Sequence, residues 1–187
     1  QLRSIQFSED SGPMSHPFSP NQNLEISNFY PATIYEKGAE LVRMIYTIIG
    51  KENFYKGMKL YFQRHDGQAV RIEEFLSAMR DASGCQLKNF EAWYELKGTP
   101  AIKGNSVYDK TNKTLKIYFR QINPGKQKIT RQIPIKLGLL DKEGLPVNID
   151  GHPEVDNNKS ILFLLEKKED ELIIENVESP PIVSVLR

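Results

Sequence analysis

The segment TIYEKGAELVRMIYTIIG, Thr33–Gly50, decides how the first half of this 187-residue chain is read. Leu41, Val42, Ile45, Ile48 and Ile49 recur at helical spacing, which predicts an amphipathic helix with one apolar face. Thr33, followed three residues later by Glu36, fits a capping box and sets the predicted start at Thr33. Gly50 is the predicted left-handed cap at the other end. Tyr35 then falls in the first turn. On pattern alone the ordinary reading of Tyr35 is a boundary aromatic. Its position also suits chemistry, because the positive end of the helix dipole favours a phenol that donates to a developing oxyanion.

Working downstream, a second helix is predicted from about Glu52 to His65, with Phe54, Met58, Tyr61 and Phe62 on one face. A third runs from Ile72 to Ala82, with Ile72, Phe75, Leu76 and Met79 inward and Gly84 after its end. A short fourth, Leu87 to Leu96, offers Phe90, Trp93 and Tyr94 as packing aromatics. Brief links between four short helices predict an antiparallel helical cluster. Upstream, residues 8 to 31 carry Pro13, Pro17, Pro20 and Pro31 and are predicted to be a loop-rich approach. So long a connection is usually functional or laid across a larger body.

Near Gly98 the apolar period changes from about 3.6 to about 2, so the domains are read as 1–98 and 99–187. Candidate strands are Ala101–Tyr108, Thr114–Arg120, Gln132–Leu139, Leu145–Ile149, Ser160–Leu165, Glu171–Val177 and Ile182–Leu186. Leu115, Ile117 and Phe119 alternate with polar residues, as in a half-buried strand. Turn signals lie at Asp109–Asn112, Pro124-Gly125, Asp141–Gly144 and Asp156–Asn158. The predicted fold class is therefore α+β: a helical cluster followed by an all-β, Ig-like sandwich of about seven strands.

Composition narrows the partners. Lys and Arg number 25 against 24 Asp and Glu, a formal charge of +1, and the lysines are scattered among acids. Nucleic-acid binding needs a concentrated basic face, so that partner class is set aside. No apolar run approaches the ~18 residues that span a bilayer. The single cysteine, Cys85, forbids an intrachain disulfide and leans towards a reducing compartment. The opening QLRSIQF reads as the end of a helix already under way, so the chain is expected to be part of a longer one.

No local metal site is predicted. His16, His65 and His152 form neither HExxH nor an i, i+4 pair. His65 suits a helix C-terminus, His152-Pro153 a turn, and His16-Pro17 lies in the approach, where it could line a site. Glu9, Asp10, Glu36, Glu40, Glu73 and Glu74 supply no separable catalytic pair.

The stretch Phe29–Ala69, with YEKGAELVRM at its centre, closely resembles the M1 family of zinc aminopeptidases. FSEDSGPMSHPFSP, Phe7–Pro20, and WYELKGTP, Trp93–Pro100, resemble the same family. The likeness is strong over residues 1 to about 100 and weaker, though collinear, through the strands. It implies a thermolysin-like catalytic domain that holds one zinc through HExxH and a distant Glu, followed by a β-sandwich. It also implies a tyrosine that stabilises the tetrahedral intermediate, which maps onto Tyr35, and a substrate-lining aromatic, which maps onto Tyr30. Pro31 restricts Tyr30 to extended geometry. The family's HExxH and GAMEN elements are absent from this sequence.

The resemblance therefore implies the last helical part of a catalytic domain plus the sandwich. The parent would be a cytoplasmic zinc metallo-aminopeptidase acting on peptides. This chain would dock on the zinc-bearing part of that parent and be inactive alone. The rival reading is a non-enzymatic module, helical cluster plus β-sandwich, that serves in protein interaction. An HExxH with a Glu about 20 residues later in the upstream reading frame separates the two.

Overall fold

The period-four spacing of Leu41, Ile45 and Ile49 gives a helix whose buried stripe begins earlier than the apolar residues do, at Thr33 and Lys37. A computed structural model describes residues 2–13, 15–18, 32–87, 89–125, 127–149 and 156–186. The chain divides into two compact units, Gln1–Thr99 and Pro100–Arg187.

In the first unit a π-helical turn, Leu2–Gln6, runs into α1, Phe7–Ser11. The predicted loop-rich approach thus begins as helix. A second π-helical turn, Thr33–Lys37, leads into α2, Gly38–Ile49. Val42, predicted inward, is exposed. Gly50 has φ 77° and ψ 162°, not the expected left-handed helical pair, because the chain must turn at once into α3, Lys51–His65. The true left-handed cap is Gly84, at φ 68° and ψ 1°, which ends α4, Ile72–Ser83. The predicted fourth helix shrinks to one turn, α5, Ala92–Glu95. Leu87 and Asn89 ahead of it take φ values of 41° and 54°, which a helix cannot accommodate.

α3 and α4 pack closely where Gly57 meets Met79. Arg80 of α4 bonds to the Gln86 and Leu87 carbonyls and to Glu91, fastening α4 to the turn before α5. Phe90, Trp93 and Tyr94 are buried, as their spacing predicts. Burial, with the Glu91 charge, pushes the Tyr94 phenol well above its ordinary range, so the hydroxyl stays protonated.

Among the described residues the second unit has six strands. β1, Ala101–Asp109, β2, Thr114–Ile122, and β5, Glu169–Ile174, form one antiparallel sheet in the order β1-β2-β5. β3, Ile133–Leu140, β4, Ser160–Leu165, and β6, Ile182–Val185, form the other in the order β4-β3-β6. The inner faces meet where the rings of Phe119 and Phe163 stack at 5.3 Å. Leu115, Ile117 and Phe119 point inward from β2 at period two, as predicted.

The candidate strand at Leu145–Ile149 is instead one bridge, Leu140 to Pro146, plus a bond from the Val147 amide to the Leu139 carbonyl. Pro146 has no amide to extend a ladder. Asp109, Asp141 and Asp156 each accept backbone amides two to four residues ahead, so one side-chain device closes three of the predicted turns. Among the described residues no helix is long and apolar enough to cross a membrane.

Candidate active site

Tyr35 sits at the middle of the Thr33–Lys37 turn, about half a turn from the buried residue on either side. Thr33 and Lys37 therefore face the core while Tyr35 faces out, 58% exposed. A π-helical turn of this kind is often found at functional sites. Tyr30, the other residue read as a site candidate, lies outside the described residues.

The helix start is not capped as the sequence suggested. Thr33 lies inside the helix, and neither it nor Glu36 forms the capping box. The cap is Glu9, from α1. Its Oε2 accepts the Ala32 amide at 3.2 Å, and its Oε1 accepts the Thr33 amide at 2.9 Å and the Thr33 hydroxyl. These amides begin a helix and have no acceptor within it, so a carboxylate there serves both hydrogen bonding and the dipole.

The neighbouring acid anchors the other flank of Tyr35. Asp10 pairs with Lys37 at 3.0 Å, with both side chains almost wholly buried. The same carboxylate accepts the Gly98 amide at 3.0 Å and the Thr99 hydroxyl at 2.5 Å. Burial works against the charged form. The Thr99 hydroxyl, the Lys37 charge and the Gly98 amide more than offset it, and together they hold the Asp10 carboxyl below its ordinary range. Gly38, next in the motif, leaves room for Phe18: a Cβ there would lie 2.7 Å from the Phe18 ring, which meets Tyr94 edge-on at 5.3 Å.

Glu9, Asp10, Thr33 and Lys37 were not picked out from sequence as parts of this arrangement. One signal was available. Residues 33, 37, 41, 45 and 49 are spaced by four, which places Lys37 on the buried stripe, and a lysine there requires an acidic partner.

Two of the three candidate histidines are described. His16 donates through Nδ1 to the adjacent Pro17 carbonyl at 2.7 Å. His65 lies in the last turn of α3 beside Tyr61, and His152 lies outside the described residues. Among the described residues no three His, Cys, Asp or Glu side chains could hold a metal ion, so these residues do not fit a zinc site.

Comparison with known proteins identifies the family. Residues 1–94 match the model of the peptidase family M1 domain, and residues 98–187 match a domain of unknown function (DUF3458) with an Ig-like fold. The chain is 39% identical to the aminopeptidase N of Escherichia coli strain K12 over 99% of its own length and 21% of that protein's. It is 52% identical to the aminopeptidase N of Caulobacter vibrioides over 58% of its own length and 12% of that protein's. The crystal structure of Legionella pneumophila aminopeptidase A in complex with aspartic acid superposes with a TM-score of 0.80 at 28% identity, covering 92% of this chain and 19% of that one. The chain thus spans about a fifth or less of these relatives. With the family model matching half of its residues, including the whole Tyr35 helix and the acids that anchor it, the chain belongs to peptidase family M1.

Proposed function

We propose that this chain is part of a zinc metallo-aminopeptidase that removes N-terminal residues from peptides. In this reading Tyr35 donates a hydrogen bond to the oxyanion of the tetrahedral intermediate. The observation that carries it is the placement of Tyr35: an outward-facing phenol in the first turn of a helix whose two flanking residues are both anchored. A donor held in place before charge develops loses little to reorganisation, and deleting one such donor costs roughly 3 kcal/mol of transition-state stabilisation.

Tyr30 is proposed to line the substrate site. Zinc in the parent would be held by residues outside this chain, and this chain would dock on that zinc-bearing part. The chain alone is expected to bind no stoichiometric zinc and to hydrolyse no aminoacyl substrate, since a catalytic zinc site needs three protein ligands. A cytoplasmic location for the parent is part of the same reading, and cell fractionation tests it.

The deciding experiment is steady-state kinetics on the full-length enzyme carrying this segment, with zinc content checked. Tyr35→Phe is expected to lower kcat by about 100-fold or more with a much smaller change in KM, because the lost bond strengthens only as charge develops. Near-normal turnover in that variant would sink the role.

A further inference from the structure

Glu9 and Asp10 are consecutive on α1, yet they do different work on the same target. Asp10 holds Lys37, two residues after Tyr35, and Glu9 holds Ala32 and Thr33, just before it. The rest of α2 is fixed independently by Leu41, Ile45 and Ile49 in the core. In the first turn the buried residues are the polar Thr33 and Lys37, and that turn carries Tyr35.

We infer that Glu9 is a positioning residue for Tyr35, acting from a separate helix by setting the start and direction of the turn that aims the phenol. The inference rests on the role proposed above for Tyr35. Without the carboxylate, the Ala32 and Thr33 amides lose their acceptor, and the first turn of a helix is where fraying begins. The Asp10–Lys37 pair and the α2 core still hold the remainder. The loss is therefore a misaimed ring and not an unfolded domain. Misplacement of a reacting group by about 1 Å costs up to ~100-fold in rate.

The bond pattern also grades the variants. Oε1 takes both Thr33 donors and Oε2 takes the Ala32 amide, so glutamine at position 9 can keep the Thr33 bonds and loses the acceptor for Ala32. Glu9→Gln is therefore expected to lie between wild type and Glu9→Ala. Thr33→Val removes the hydroxyl donor alone.

The test is a double-mutant cycle on the full-length zinc enzyme, with zinc content and melting temperature recorded for each variant. Glu9→Ala should lower kcat by about 10- to 100-fold with KM within about twofold, and Glu9→Gln should recover part of the loss. In a Tyr35→Phe background, Glu9→Ala should cost about threefold or less, because no donor remains to be aimed.

Losses that multiply across the two sites show that Glu9 acts elsewhere and overturn the inference. Unchanged kcat in Glu9→Ala beside an impaired Tyr35→Phe overturns it as well. Near-normal turnover in Tyr35→Phe overturns the role of Tyr35 itself, a separate failure that takes this inference with it. Should Glu9→Ala not fold, Thr33→Val carries the same cycle: a kcat loss that vanishes in the Tyr35→Phe background supports the inference, and one that persists refutes it.

Discussion

The Lys37 ammonium lies 3.0 Å from the Asp10 carboxylate, with the two side chains only 5% and 2% exposed. Through the Gly98 amide and the Thr99 hydroxyl, that one carboxylate also joins α1 and the Tyr35 turn to the last residues of the helical unit. Removing two charges from water is costly, so the pair stabilises the fold only because its remaining hydrogen-bonding capacity is also filled.

Removing one partner should expose that cost. Asp10→Ala leaves a buried ammonium without its counter-charge and is expected to destabilise the helical unit by about 3–5 kcal/mol. Asp10→Ala combined with Lys37→Met should recover part of this, but not all, because Gly98 and Thr99 still lose their acceptor. Urea denaturation followed by far-ultraviolet circular dichroism measures both. A loss below about 1 kcal/mol in the single variant would mean that water reaches the pair freely.

The same carboxylate sets an acid limit. The Asp10 carboxyl titrates below its usual value of 3.8 in the folded chain, where bonds from Thr99, Lys37 and Gly98 outweigh the burial that opposes its charge. A depressed folded value means stabilisation present above the unfolded value and lost as pH falls through the folded one. Stability of the helical unit should therefore decline as pH drops below about 4. Asp10→Asn should be less stable at neutral pH and show a flatter acid limb. Parallel acid limbs for wild type and variant in pH-dependent urea melts would rule Asp10 out as the titrating group.

Gly57 offers a test of packing against propensity. It lies inside α3, where alanine is intrinsically better by about 1 kcal/mol. A Cβ there would fall 2.5 Å from the Met79 sulfur and 3.3 Å from the Met79 Cα, and Met79 is fully buried with no room to retreat. Gly57→Ala is expected to lose about 1–3 kcal/mol by overpacking the α3–α4 contact. A raised melting temperature would show that the two helices can separate at little cost.

Much of the fold was legible because it depends on short-range periodicity. The spacing of Leu41, Ile45 and Ile49 marked α2, the alternation of Leu115, Ile117 and Phe119 marked β2, and aspartates marked turns at Asp109, Asp141 and Asp156. Readings failed where a local signal met a tertiary competitor. Thr33 and Glu36 have capping-box spacing, but Glu9 occupies the Thr33 amide, one of the two that such a box would serve. Leu145–Ile149 has strand composition, but Pro146 limits it to a bridge.

The candidate site divides in the same way. The sequence by itself determined that Tyr35 lies in a helix's first turn and that the chain carries the M1 family's YEKG element, because each follows from residue identity and helical spacing. Only the tertiary structure decided that Glu9 caps that helix across 23 residues of chain, that Asp10 neutralises Lys37, and that Tyr35 is left facing outward. Buried amides and charges demand partners, and which partner arrives depends on how distant segments pack.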